Sequence, residues 1–170
     1  MAALIERLHS TYKPMRIKDF ERIELNSLIE DVHALTATHM RHKEIAFEFH
    51  PDANLLPVLG VSDHLRQVAL NLFLNAVEMM PHGGRLTVQT SNLGAQNEIL
   101  FSVRDSGPGI DPEILPHIFD AFVTSKNTGT GLGLTITHDI IEQHQGRIEA
   151  RNNPEGGAIF NVWLPAEKEG

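Results

Sequence analysis

Hydrophobic residues recur along the chain at helical spacing in three regions. The first region opens on the pattern SLIE, which resembles a capping box at Ser27, and its apolar stripe consists of Leu25, Ile29, Val32 and Leu35. The second can be capped by Ser62 and ends at Pro81, and its stripe consists of Leu65, Val68, Leu72, Ala76 and Met79. The third extends to Gly146 and carries Leu132, Ile136, Ile140 and Ile141. These stripes predict three amphipathic helices.

Alternation of apolar and polar residues predicts five strands between and after these helices. Ile45, Phe47 and Phe49 mark the first strand, residues 86–90 and 99–103 an antiparallel pair, and residues 147–151 and 158–164 the last two. Because helices and strands segregate along the chain, we expect an α/β fold. It should be a two-layer α/β sandwich in which a mixed sheet is backed by three helices.

Length and composition favour one compact domain. The chain has 170 residues and is 41% hydrophobic, enough to bury one core. No apolar stretch approaches the roughly 20 residues that span a bilayer, and residues 1–8 are too short and too charged for a signal peptide. The absence of cysteine excludes disulfides and thiolate metal sites and fits a reducing cytosol. We therefore expect a cytoplasmic segment without membrane contact, which a longer chain could tether to a membrane sensor.

The charge distribution argues against a nucleic-acid partner. The sequence has 22 acidic residues against 14 basic ones, and lysine and arginine form no run. The ten histidines are scattered without the spacing of a metal motif such as HExxH. We expect most of them at the surface.

Asn71, Asn75 and Glu78 fall at positions i, i+4 and i+7 of the second helix and share one face. Asparagine is a mediocre helix former, so two of them in mid-helix beside a core face need a reason. A carboxamide oxygen is a hard ligand that suits Mg²⁺, which completes its shell with phosphate oxygens and water. The alternative interpretation is a solvated polar face.

The segment DSGPGI places Asp105 at the end of a predicted strand, followed by Gly107, Gly109 and Ile110. Glycines let the backbone come close to a flat ligand, and an aspartate at a strand end can accept a hydrogen bond from an exocyclic amine such as that of adenine. The same residues are also good turn formers. A tight turn without a ligand is the alternative.

The segment GTGLGL, residues 129–134, precedes the third helix. Its backbone amides and the positive helix end form a candidate anion site, and a simple glycine-rich helix entry is the alternative. The glycines fall at every second residue, unlike the dinucleotide motif GxGxxG, and the chain contains no Walker GK[ST]. Thr124, Ser125 and Lys126, just upstream, could add hydroxyls and a positive charge or be merely solvated.

The order and spacing of these segments resemble the catalytic domain of sensor histidine kinases. QVALNLFLNAVEMM, DSGPGI, HIFDAFVTSK, GTGLGL and GGAIFNVWLP are similar, in this order, to the N box, first glycine box, F box, second glycine box and terminal strand of that family. The resemblance covers residues 24–165 and is to the nitrogen-regulation type with a short lid. It implies a Bergerat ATP-binding fold of the GHKL superfamily, with ATP and Mg²⁺ as cofactors.

The resemblance also implies roles for individual residues. Asn75 resembles the asparagine that coordinates Mg²⁺, Asn71 the asparagine that faces the phosphates, and Asp105 the aspartate that reads adenine. Together with Lys126, the two asparagines are expected to act in phosphoryl transfer. The implied nucleotide-binding residues are Asn71, Asn75, Glu78, Asp105, Gly107, Gly109, Ile110, Phe119, Thr124, Ser125, Lys126, Gly129, Thr130, Gly131, Leu132, Gly133 and Leu134.

Phe119 and Phe122 match the F box, where we expect either hydrophobic anchoring of the lid or plain core packing. Residues 124–130 contain no large apolar side chain. The lid is therefore expected to be mobile until nucleotide phosphates engage it.

Three features depart from the family pattern. Glu78 stands where many such kinases carry lysine, which favours a hydrogen bond through the magnesium shell over a phosphate contact. ATP-hydrolysing relatives have a glutamate base at the position of Asn71, and an amide cannot accept a proton from water, so fast hydrolysis is disfavoured. Finally, His9, His39 and His42 all lack the sequence context of a phosphoacceptor histidine.

The resemblance thus implies a protein histidine kinase domain that donates the γ-phosphate of Mg-ATP to a histidine on a separate hairpin, with a response regulator as an indirect partner. Residues 1–22 are expected to be a linker or the remnant of a preceding helical hairpin, residues 23–166 the catalytic domain, and residues 167–170 a tail. A monomer is expected. The alternatives are a nucleotide-dependent binding module and a serine kinase of the same fold. The serine kinases tend to carry glutamate at the position of Asn71.

Overall fold

The computed structural model describes residues 16–123 and 131–167. Within them the chain forms three α-helices, namely α1 (Leu25–His42), α2 (Ser62–Met79) and α3 (Gly133–Gln143). Its strands in the same residues are β1 (Glu21–Ile23), β2 (Ile45–His50), β3 (Val58–Gly60), β4 (Gly84–Leu93), β5 (Glu98–Asp105), β6 (Arg147–Asn152) and β7 (Ala158–Pro165). None of the helices in this part of the chain has both the length and the apolarity to cross a membrane.

Five of the described strands form one mixed sheet in the order β2-β4-β5-β7-β6. β2 and β4 run parallel, and all other neighbours in this sheet are antiparallel. The predicted alternation sets the facing of the side chains: Leu86, Val88 and Thr90 of β4 are buried, while Arg85 and Gln89 are exposed. The predicted mixed sheet is confirmed.

The helices pack on the buried face of this sheet, with α2 in contact with both α1 and α3. Four members of the apolar stripe of α2, Leu65, Val68, Leu72 and Ala76, are buried and Met79 is half-buried. Phe73 on the same helix is fully enclosed. Burial of apolar area of this kind is the main stabilising contribution to a fold, at roughly 25 cal/mol per Å². The two-layer α/β sandwich is therefore confirmed, and Asn71 and Asn75 lie at the border of its core.

The predicted helix caps are wrong. Ser27 lies inside α1, whose N-cap is Glu24, and Ser62 is the first residue of α2 after the N-cap Val61. At α1, including Leu25 in the helix buries its side chain to 2% exposure. Burying a leucine contributes about 1.5–3 kcal/mol, more than the roughly 1 kcal/mol of a typical cap, so packing rather than capping sets the start of this helix.

Leu35, expected on the apolar stripe of α1, is 69% exposed. The buried face of α1 instead continues at four-residue intervals through Val32, Thr36 and Met40. Because consecutive residues of a helix are about 100° apart, Leu35 next to Thr36 points away from the core.

Two features were not predicted from the pattern. β1 and β3 form a separate antiparallel pair, with Ile23 opposite Val58, and three-residue strands are too short to show a period. β1 begins at Glu21, within the segment expected to be a linker. Among the histidines, His64 and His144 are buried rather than at the surface, at 4% and 6% exposure.

Candidate functional site

Asn71, Asn75 and Glu78 lie along α2 beside its buried stripe. The two asparagines are half-buried and Glu78 is exposed. Nδ2 of Asn71 donates hydrogen bonds to the carbonyl oxygen of Gly133 (3.2 Å) and to Oγ1 of Thr137 (3.3 Å). The start of α3 therefore lies directly against the predicted magnesium face of α2, so two motifs that are distant in the sequence meet in the fold.

Asp105 ends β5 and is only 3% exposed. Its Oδ1 accepts hydrogen bonds from the backbone amides of Gly107 (2.9 Å) and Ala158 (3.2 Å). Oδ2 accepts no hydrogen bond from residues 16–123 or 131–167. Burial raises the pKa of this carboxyl, and the two amide hydrogen bonds partly oppose that shift. One carboxylate oxygen is thus fixed by the backbone, and the other can serve a donor from a ligand.

Gly107 and Gly109 allow close packing around Asp105. A Cβ atom at Gly107 would lie 2.8 Å from the carbonyl oxygen of Met79 at the end of α2. Gly109 has φ of +83°, in the left-handed region that favours glycine. The fold itself requires both glycines, which supports the turn interpretation, and the ligand interpretation stays a prediction.

Asn152, the last residue of β6, anchors the other end of this glycine box. Its Oδ1 accepts a hydrogen bond from the amide of Ile110, and its Nδ2 donates one to the carbonyl of Ile110, both at 2.7 Å. Sequence reasoning missed this residue because its partner is 42 positions away. The only signal was an asparagine at the end of a predicted strand.

The second glycine box leads into α3. The amide of Phe122 donates a hydrogen bond to the carbonyl of Gly131 (3.0 Å), and Gly131 has φ of +69°. Leu132 is the N-cap of α3 and Gly133 its first residue. A Cβ atom at Gly133 would meet no described atom within 4 Å. Open space beside the first amides of a helix is the geometry that an anion requires.

The two F-box aromatics lie in different surroundings. Phe119 packs against the core, with its ring centroid 6.3 Å from that of Phe160 and 5.5 Å from that of His138. Leu134 also packs against this core. Phe122 is 72% exposed and has φ of +66°. Phe119 therefore packs against the core, as the second alternative predicts, and its anchoring of the lid stays a prediction. Phe122 is joined to Gly131 through its backbone amide.

Thr124, Ser125, Lys126, Gly129 and Thr130, together with the predicted lid, lie outside the described residues. Their expected contacts with phosphate stay predictions. The residues on either side of this segment, Phe122 and Gly131, are joined by the hydrogen bond given above.

A depression of about 650 Å³ is lined largely by residues of β2, β4 and β5, and Asp105 is one of them. Arg85 and Arg104 line it, but Arg85 lies 3.3 Å from a carboxylate oxygen of Glu48 and Arg104 2.9 Å from one of Glu155. Because each guanidinium group already contacts a carboxylate, a phosphate placed here would meet nearby negative charge. The surface between α2, α3 and Asp105 is the better candidate for an anionic ligand.

The described residues of that surface fit an adenine nucleotide with Mg²⁺. Asp105 offers a buried acceptor for an amine, and the start of α3 offers backbone amides beside open space. Asn71 and Asn75 offer carboxamide oxygens, which suit a hard cation that keeps several waters. The carboxylate, the backbone amides and the carboxamide oxygens differ in chemistry, and each matches a different part of such a ligand.

Comparison with known proteins gives a family match and several relatives. The model of the histidine kinase-, DNA gyrase B- and HSP90-like ATPases matches residues 60–168. Sensor histidine kinase ZraS of Salmonella typhi is 35% identical over 162 residues, covering 95% of this chain and 34% of ZraS. The chain thus spans about a third of the length of the curated relatives it matches.

Solved structures of histidine kinases share the fold. The nucleotide-free catalytic domain of ThkA is 34% identical with a TM-score of 0.78, covering 86% of this chain and 95% of that one. ThkA in complex with the response regulator TrrA is 28% identical with a TM-score of 0.77, covering 98% and 49%. Full-length ShkA in complex with AMPPNP is 27% identical with a TM-score of 0.78, covering 89% and 32%. Since the family model matches more than half of its residues, the chain belongs to the histidine kinase-, DNA gyrase B- and HSP90-like ATPases.

Proposed function

We propose that this domain binds ATP with Mg²⁺ and donates the γ-phosphate to a histidine on a separate dimerisation and phosphoacceptor segment, as the catalytic part of a two-component histidine kinase. The observation that carries the proposal is the hydrogen bond between Asn71 of α2 and the carbonyl of Gly133 at the start of α3. This bond sets the helix face predicted for Mg²⁺ beside the helix end predicted for phosphate. The similarity to sensor histidine kinases over 95% of the chain supports the reaction class.

Adenine recognition is assigned to Asp105 and the first glycine box. Oδ2 of Asp105 would accept a hydrogen bond from the exocyclic amine, while Oδ1 stays fixed by the amides of Gly107 and Ala158. Gly107, Gly109 and Ile110 follow Asp105 directly in the chain and would lie beside the base, and the close packing of Gly107 against Met79 holds this turn next to Asp105. The similar structure of ShkA contains AMPPNP.

The phosphates would contact the backbone amides at the start of α3, from Gly131 through Leu134. Asn75 would hold Mg²⁺ through its carboxamide oxygen, and Glu78 would contact the water shell of the ion. When bound, Mg²⁺ supplies charge neutralisation to the phosphates. Thr124, Ser125, Lys126, Gly129 and Thr130 are proposed, from the family resemblance, to add hydroxyl, cationic and backbone contacts. The protein then acts by positioning the phosphoryl group rather than by covalent chemistry.

The side chain at position 71 favours an imidazole acceptor over water. A carboxamide cannot take a proton from water, so Asn71 cannot serve as a general base for hydrolysis. A neutral imidazole already carries a nucleophilic lone pair on one nitrogen, so its attack needs no base at position 71, and the proton of its other nitrogen would be released to solvent or to a group of the acceptor segment. We propose that the acceptor histidine lies outside the described residues or on another chain, and that a response regulator receives the phosphoryl group in turn. The ThkA relative has been solved with its response regulator TrrA.

The same proposal fixes the extent of the domain. Residues 23–166 would form the catalytic domain, residues 1–22 the linker from an upstream hairpin, and residues 167–170 a tail. Because ATP is the proposed phosphoryl donor, we also propose that this part of the protein lies in the cytoplasm.

The test combines nucleotide binding with phosphoryl transfer. The domain is mixed with a separately expressed phosphoacceptor hairpin of a sensor histidine kinase and γ-labelled ATP, and acid-labile phosphohistidine is measured. We expect transfer by the wild type, loss of transfer in Asn75→Ala, and unchanged transfer in the control Asp63→Asn, an exposed position in the first turn of the same helix. Nucleotide binding without transfer would favour a binding module, and phosphoserine a serine kinase. Absence of nucleotide binding would refute the proposal.

A further inference from the structure

Thr137 is a fully buried hydroxyl residue in the second turn of α3, with 0% exposure. Its Oγ1 donates a hydrogen bond to the carbonyl of Gly133, four residues earlier, at 2.8 Å. Bonds of this kind are common for helical threonine and would by themselves indicate only local satisfaction of a buried hydroxyl. Here, however, the Asn71 side chain of α2 also donates hydrogen bonds to the Gly133 carbonyl and to Oγ1 of Thr137.

The three groups form a closed set of hydrogen bonds with a defined direction. The Thr137 hydroxyl has one proton, and because a carbonyl oxygen can only accept, that proton goes to Gly133. The lone pairs of Oγ1 are then available to the Asn71 amide, which lies 3.3 Å away. Both groups that face Asn71 from α3 are therefore acceptors, so the side chain must turn its NH₂ toward them.

This direction decides which atom Asn71 presents on its other side. With Nδ2 directed toward Gly133 and Thr137, the carboxamide oxygen Oδ1 is the outward atom, and it accepts no hydrogen bond from residues 16–123 or 131–167. An outward NH₂ group would be a donor suited to a phosphate oxygen. An outward Oδ1 is instead an acceptor, suited to a cation or to a proton of its bound water.

We propose that Thr137 is a positioning residue that, with the Gly133 carbonyl, holds Asn71 with Oδ1 directed to Mg²⁺ or to a magnesium-bound water. The inference rests on the function proposed above and changes the role of Asn71, which serves the metal shell rather than donating to phosphate. Without the hydroxyl, Asn71 keeps a single acceptor, and its amide can rotate away from this orientation. Thr137 therefore acts on the metal through Asn71 without touching the nucleotide.

The test compares three variants. Thr137→Val removes the hydroxyl at nearly constant volume, and Thr137→Ser keeps it. Thr36→Val is the matched control, because Thr36 of α1 is also buried and donates to a carbonyl four residues earlier, Val32, at 3.0 Å. Affinity for AMPPNP is measured by calorimetry with Mg²⁺ and with chelator, and thermal unfolding is recorded for each variant.

We expect the wild type, Thr137→Ser and Thr36→Val to gain the same affinity from Mg²⁺. In Thr137→Val the increase in affinity on adding Mg²⁺ should be about fivefold smaller than in the wild type, the size expected for one hydrogen bond. Its affinity in chelator should equal that of the wild type. A full magnesium gain in Thr137→Val would overturn the inference and leave the proposed function intact. A wild type without any magnesium gain would refute both. If valine prevents folding, Thr137→Ala, which also lacks the hydroxyl, takes its place.

A second readout needs no nucleotide. The side-chain NH₂ signals of Asn71 in the free protein report its hydrogen bonds directly. They should shift and exchange faster in Thr137→Val but not in Thr137→Ser. Signals identical to those of the wild type in Thr137→Val would show that Thr137 does not orient Asn71.

Discussion

The backbone amide of Val61 donates a hydrogen bond to Nε2 of His144 at 3.1 Å, which ties the N-cap of α2 to the residue after α3. Nδ1 of the same ring lies 2.7 Å from the carbonyl oxygen of Ile140. Because a carbonyl can only accept, Nδ1 carries the proton and Nε2 is the acceptor. The neutral ring therefore forms hydrogen bonds with both Val61 and Ile140. Protonation of Nε2 would replace the acceptor by an N–H group that faces the N–H group of Val61.

The stability of the domain should fall in mild acid through His144. Burial lowers the pKa of His144, the hydrogen bond to Ile140 opposes that shift, and nearby His64 lowers the pKa further. The unfolded chain, with a histidine pKa of about 6.5, then binds more protons than the folded one. The resulting stabilisation is complete above about pH 6.5 and is lost as the pH falls through the folded-state pKa.

Urea unfolding at several pH values checks this expectation. The free energy of unfolding of the wild type should decrease between neutral pH and mildly acidic pH, and His144→Gln, which cannot titrate, should show a smaller decrease. His33, whose pKa burial also lowers, is present in both proteins and cancels in the comparison. Equal decreases in the two proteins would contradict a role for His144.

Asp105→Asn should weaken nucleotide binding by roughly tenfold or more, because a hydrogen bond to a charged acceptor contributes about 1.5–3 kcal/mol. The variant keeps the shape of the side chain, but it replaces a carboxylate by an amide whose NH₂ group can face the base. Calorimetry with AMPPNP measures the effect, and Asp120→Asn, an exposed position of the F-box region, is the control. Unchanged affinity in Asp105→Asn would remove the adenine assignment.

Periodicity predicted most of the fold, because long helices and paired strands repeat their burial pattern many times. Motif order predicted the site residues, of which the structure brings Asn71 and Gly133 together, while their roles in ligand binding stay predictions. β1 and β3 could not be predicted, since three residues that pair with a distant strand carry no period. Leu35 was misplaced because α1 drifts to a four-residue repeat through Thr36. Likewise, Thr137 and Asn152 act through partners that only the packing of α2, α3 and β6 brings near.

Asn152→Ala should destabilise the domain and loosen the first glycine box. The substitution leaves the part-buried amide and carbonyl of Ile110 without their side-chain partner, at a cost of about 1 kcal/mol for each lost hydrogen bond. In thermal unfolding, the melting temperature should decrease clearly in Asn152→Ala and only slightly in Asn153→Ala. Among the described residues, the side chain of the neighbouring Asn153 bonds only within its own exposed turn, to the carbonyl of Gly156 and the amide of Glu155. A stability equal to that of the wild type would show that the sheet does not hold the glycine box through this pair.

Gly131 and Gly133 are two residues apart and should respond to alanine in opposite ways. At Gly131 a Cβ atom would lie 2.5 Å from the carbonyl carbon of Phe122, and φ of +69° is unfavourable for any other residue. Gly131→Ala should therefore lose stability, by roughly 1–2 kcal/mol from the left-handed backbone and more from the steric overlap. At Gly133 no described atom lies within 4 Å of the added Cβ.

Gly133→Ala should keep or slightly raise the thermal stability. Alanine is favoured over glycine by about 1 kcal/mol in a helix interior, and the gain should be smaller at Gly133 because it is the first residue of α3. If nucleotide phosphate approaches the first amides of α3, the added methyl group occupies the space that it needs. Affinity for AMPPNP should then fall in Gly133→Ala despite its intact fold. Thermal unfolding and calorimetry on both variants separate the two roles. Full affinity in a stable Gly133→Ala would show that phosphate does not bind at this helix end.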